Sequence, residues 1–78
     1  IHCDNKGLTS VPKELPSNLF ELQLPNNALT TFPCMSLSYL NTLNLRNNKI
    51  TYFPWYCLKN MPRLVHLDLA HNQLFCVK

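Results

Sequence analysis

Five positions recur at fixed spacing along this 78-residue chain, and neither helical periodicity nor simple alternation accounts for them. Leu19, Leu22, Leu24, Asn27 and Leu29 return as Leu40, Leu43, Leu45, Asn48 and Ile50, and again as Leu64, Leu67, Leu69, Asn72 and Leu74. At the front, Ile1, Cys3, Lys6 and Leu8 take the places of Leu22, Leu24, Asn27 and Leu29. The steps are 21, 21 and 24 residues. The segments that follow repeat too, as LTSVP (8–12), LTTFP (29–33), ITYFP (50–54) and LFCVK (74–78). Cys34, Leu37 and Leu40, then Leu58, Met61 and Leu64, set an apolar residue every third position on the way back to the next copy. A repeat this short cannot bury its own apolar face, so the copies must stack.

Within each copy the two close leucines, as in LQL (22–24), point to one side of a short strand and the residue between them to the other. Stacked strands make a parallel sheet with leucines inward, each buried leucine contributing roughly 1.5 to 3 kcal/mol. Just after the strand the backbone must bend inside the core. Asn27, Asn48 and Asn72 stand where their amides can hydrogen-bond the peptide groups of that bend. Asn26 and Asn47, one position earlier, are expected to face outward and be freer for contact. Three outward rows follow from the spacing: Glu21, Thr42 and His66; His2, Gln23, Asn44 and Asp68; Asp4, Pro25, Arg46 and Ala70. Their mixed, polar chemistry suits a protein or peptide better than a small apolar molecule. A solvated sheet face with cross-strand pairs such as Arg46 near Asp68 is the plainer alternative.

Composition narrows the function. With 46% hydrophobic and 14% charged residues and a net charge of +3, the chain reads as an ordinary folded domain and not as a nucleic-acid-coating segment. No apolar run is long enough to insert in a bilayer. The opening IHCDNKGL lacks the features of a signal peptide, so a secreted form is expected to have lost one. Zinc needs closely spaced Cys and His ligands, and none are so placed. MSLSYL (35–40) does not set a nucleophile against a base, and Gly7 alone makes no phosphate loop. No catalytic residue, cofactor or metal site is expected. Lys49, Lys59 and Arg63 make at most a weakly positive side.

The pattern L-x-x-L-x-L-x-x-N-x-L, matched three times, resembles the leucine-rich repeat family. The front end, IHCDNKGLTSVPKELPSNLFELQL, is similar to the N-terminal cap repeat of Toll-like receptors, lamprey variable lymphocyte receptors and small leucine-rich proteoglycans. Those relatives carry further cysteines just upstream of this point, and this chain does not. The resemblance implies an α/β-type solenoid, a right-handed superhelix with about four short parallel strands on its concave face and mostly irregular convex segments. The expected organisation is one domain over 1–78, with a cap-like repeat at 1–18 and repeats at 19–39, 40–63 and 64–78.

By the same resemblance the chain is an extracellular, non-enzymatic module that binds a protein ligand through its concave face, with innate immune recognition as the expected biology. Glu21, Gln23, Asn44, Arg46, His66 and Asp68 are the candidate contacts. Tyr52, Trp55 and Tyr56 have no aromatic counterparts in the earlier turns and are expected to reach the convex surface, where they make a possible second contact surface. In an extracellular chain the four cysteines point to disulfides. Cys34 takes the place of Leu58 one turn later and Cys57 adjoins Leu58, so a Cys34–Cys57 bridge fits, with two buried thiols as the alternative. Cys3 replaces a core leucine, and Cys76 falls at an outward place in the last turn. No closing cap follows LFCVK. The chain is therefore expected to be the N-terminal piece of a larger receptor ectodomain, or to bury its C-terminal edge against a partner or a copy of itself, as a matrix-type assembly protein does.

Overall fold

A computed structural model describes residues 2–12 and 15–74. Three strands of three residues each, β1 (Glu21–Gln23), β2 (Thr42–Asn44) and β3 (His66–Asp68), form a parallel sheet in the order β1-β2-β3. Leu22, Leu43 and Leu67 face each other across the sheet, and the outward rows fall in register: Glu21 with Thr42 and His66, Gln23 with Asn44 and Asp68. In place of a fourth strand, a single parallel bridge ties His2 to Gln23. Beside this bridge the front turn is held by the Cys3 N–H donated to Gln23 O at 2.8 Å, the Asn5 N–H donated to Pro25 O at 3.0 Å and the Ala28 N–H donated to Leu8 O at 2.8 Å.

The repeating apolar positions are the core. Leu22, Leu24, Leu29, Leu40, Leu43, Leu45 and Ile50 are fully buried. On the return segments Phe32 stacks on Phe53 with ring centroids 5.7 Å apart, and Thr31 bridges Tyr52 in parallel. Aromatic pairs at this separation contribute beyond the area they bury. The expected side chains therefore hold successive turns together at both ends of each repeat.

The step of 24 residues has a local cause. ITYFP keeps the 21-residue offset from LTTFP, whereas Leu58, Met61 and Leu64 lie 24 residues beyond Cys34, Leu37 and Leu40, so the insertion is Trp55, Tyr56 and Cys57. The chain takes it up as a 3-10 helix over Trp55–Asn60. Three residues make one turn of such a helix, which returns Leu58 to the place it would have had. The Cys57 N–H donates to Pro54 O at 2.9 Å and the Met61 N–H to Leu58 O at 3.0 Å. Proline suits the position before the first turn, where no intrahelical N–H is needed.

The insertion also delivers a disulfide. Cys57 is buried and bonded to exposed Cys34, with their Cα atoms 5.5 Å apart. Cys3 is a free, half-buried thiol packed against the core. Cys76 and the rest of the segment from 75 to 78 lie outside the described residues. Among the described residues no helix is long and apolar enough to cross a membrane.

Candidate partner-binding face

Behind the face lies a ladder of amides, Asn48 buried and Asn27 and Asn72 half-buried. Asn48 is 5% exposed, and its Nδ2 donates to Leu24 O and Leu45 O, both at 3.0 Å, while its Oδ1 accepts the Leu29 N–H. Asn27 does the same one turn earlier, accepting the Lys6 and Leu8 N–H groups and donating to Cys3 O and Leu24 O. Asn72 accepts the Ile50 N–H and donates to Leu45 O and Leu69 O. Each amide thus satisfies peptide groups of its own bend and of the turn before it. The strands are held in register from behind, and no buried side-chain polar atom among the described residues lacks a partner.

The neighbouring asparagines do something the repeat pattern does not reveal. Asn5, Asn26, Asn47 and His71 all adopt positive φ, between 52° and 59°. Asparagine tolerates the left-handed region better than most residues, which accounts for its choice at three of these four places. Asn26 and Asn47 are exposed, as expected, but they are not free: Asn47 Nδ2 donates to Asn26 Oδ1 at 2.7 Å. With Asn5, Asn27, Asn48 and Lys49 they line a polar hollow of about 390 Å³ beyond the ends of the strands.

Across the sheet the candidate contacts form a connected ribbon. Gln23 Nε2 donates to Glu21 Oε2 at 2.7 Å, and Asn44 Nδ2 donates to Gln23 Oε1 at 2.9 Å. Asn44 Oδ1 accepts the Arg46 N–H at 3.0 Å, and the Arg46 guanidinium meets Asp68 Oδ2 at 3.5 Å. Asp68 Oδ1 in turn accepts the Ala70 N–H. His66 is exposed beside this ribbon, paired in the sheet with Thr42. Glu21, Gln23, Asn44, Arg46 and Asp68 are therefore linked side by side across the sheet face. Pro25, read as an outward residue, is buried instead, so the third row presents only Asp4, Arg46 and a half-buried Ala70.

The convex aromatics split. Tyr52 and Tyr56 are 53% and 66% exposed, but Trp55 is half-buried with its ring edge-on to Phe53 at 4.9 Å. Trp55 turns inward because the 3-10 turn aims the first inserted side chain at the phenylalanine stack. Among the described residues no group of three His, Cys, Asp or Glu side chains is placed to hold a metal.

The family model described as leucine rich repeat matches residues 34–74, more than half of the chain. The chain belongs to the leucine-rich repeat family. Domains of this family are generally non-enzymatic protein-binding modules, and this leucine-rich repeat chain carries their sheet and asparagine ladder in minimal form. Searches of curated proteins and of solved structures returned no match to it.

Proposed function

We propose that this leucine-rich repeat chain recognises an extracellular protein ligand through the outward face of β1, β2 and β3, with Glu21, Gln23, Asn44, Arg46, His66 and Asp68 as the contacts and innate immune recognition as the setting. The observation that carries the reading is the ribbon from Glu21 to Asp68, in which side chains of both charge signs are held by one another and by backbone. Pre-oriented polar groups lose little freedom on binding. The Cys34–Cys57 disulfide is compatible with an oxidising, extracellular compartment.

Selection from a displayed library of extracellular proteins tests the proposal, using the wild-type chain and an Arg46→Ala/Asp68→Ala double variant as baits. Binders enriched on wild type are expected to lose the double variant. Binders that ignore both substitutions yet respond to Tyr52→Ala or Tyr56→Ala would count against the sheet face.

A second reading is assembly through the far side of β3. Leu58, Met61, Pro62, Leu64, Val65 and Leu67 line a hollow of about 280 Å³ there, and Leu64 and Leu67 are only half-buried where their counterparts Leu40 and Leu43 are fully covered. Either a further turn of a longer ectodomain or a copy of the chain would cover it. Light scattering that finds a monomer at high concentration counts against the copy.

A further inference from the structure

Along the leading edge of the sheet, just before the strands begin, stands a second surface. Phe20, Asn41 and Val65 occupy equivalent places on three adjacent turns: the Asn41 N–H donates to Phe20 O at 2.8 Å, and the Val65 N–H to Asn41 O at 2.9 Å. Phe20 is 62% exposed and Val65 69%. Two places before Asn41 and Val65 come Tyr39 and Arg63. The Arg63 guanidinium lies 4.8 Å from the centroid of the Tyr39 ring, which is itself 51% exposed. Of the five large apolar or aromatic side chains most exposed among the described residues, three lie on this edge.

We infer that this edge is a docking surface for an acidic, hydrophobic peptide segment of a protein partner. Charge decides the class. The segments 17–20, 38–41 and 61–65 carry one charged residue, Arg63, and no carboxylate. Arg63 lies over its ring and pairs with no acid among the described residues. A guanidinium held over an aromatic face retains N–H donors that can meet a carboxylate. Phe20 and Val65 offer apolar contact to either side, two turns apart, a reach of about 10 Å across the sheet. A segment that alternates acidic and apolar side chains matches this surface, and arginine and tyrosine are frequent anchors of such contacts. The surface is distinct from the Glu21–Asp68 ribbon, and the inference does not rest on that ribbon's role.

The test is an amide-resolved NMR titration of the wild-type chain with a short blocked peptide alternating glutamate with leucine and phenylalanine, alongside its lysine-for-glutamate counterpart. The acidic peptide is expected to shift Phe20, Tyr39, Arg63 and Val65, and the lysine peptide to leave them in place. Arg63→Glu should weaken the acidic peptide on the order of tenfold or more and admit the basic one. Arg63→Gln, which keeps length and polarity, should lose the acidic peptide without gaining the other. Arg46→Ala/Asp68→Ala should leave the titration unchanged. Equal binding of the two peptides, shifts confined to 42–46 and 66–68, or a dimer in light scattering that Phe20→Ser abolishes would each overturn the assignment. The last outcome would show that the occupant is a second copy.

Discussion

Asn48 of one turn accepts the Leu29 N–H of the turn before it at 3.1 Å, in a buried site. Removing the amide would orphan that N–H and leave the carbonyls of Leu24 and Leu45 with one side-chain donor each, Asn27 and Asn72. Asn48→Ala is therefore expected to lower the unfolding free energy by about 1 to 3 kcal/mol. Urea denaturation reads this directly; a midpoint equal to wild type would refute it.

The left-handed positions predict changes of opposite sign. His71 adopts φ 59° where the equivalent residues are asparagine. His71→Asn is expected to raise stability by a few tenths to about 1 kcal/mol, since the conformation suits asparagine better. Asn47→Ala should cost about 1 kcal/mol or more, because alanine resists the same backbone and the Asn26 contact goes with it. Thermal melts of the two variants should move in opposite directions.

The disulfide joins residues 23 apart in sequence. Closing a loop of this size contributes about 3 kcal/mol in the chain-entropy view. Both single serine variants lose that term, but they should not be equal. Cys57 is 1% exposed, so Cys57→Ser also buries a hydroxyl, adding about 1 to 3 kcal/mol. Cys34 is exposed, and Cys34→Ser should behave like the reduced wild type. Equal midpoints for the two serine variants would contradict this difference in burial.

Arg46 and Asp68 side chains are 49% and 41% exposed and 3.5 Å apart. A pair this open is worth little to folding, so alanine at either place should change stability by less than about 0.5 kcal/mol. Under the proposed function the same charges would face the partner, so ligand affinity should fall and become less salt-sensitive. A large loss of stability would show the pair to be structural.

Much of this could be read from residue spacing alone. Stacked leucines and a buried asparagine at a fixed offset have few physical solutions, so the parallel sheet, its register and the Asn27, Asn48 and Asn72 ladder were legible. So was the Cys34–Cys57 bridge, because alignment of the turns brings the two positions side by side. The role of Asn26 and Asn47 was not, since a positive φ leaves no mark on hydrophobic periodicity and asparagine serves contact and backbone equally well. Trp55 was misplaced because a three-residue insertion changes which way its first side chain points. Tyr39 and Arg63 come together only once the 24-residue step is divided correctly around that insertion. The candidate contacts on the sheet face are placed and oriented as the rows required, and what they bind is for the selections above to decide.

The outer bridge also limits how far two turns can part. Strands in a sheet lie about 4.8 Å apart, while across the outer segments the Cys34 and Cys57 Cα atoms are 5.5 Å apart and the phenylalanine rings 5.7 Å. The bridge ties the outer side of the β1 turn to that of the β2 turn, so these two turns cannot splay further apart there than the disulfide allows. Under the proposed function, a ligand would meet a face whose opening at these turns is capped covalently.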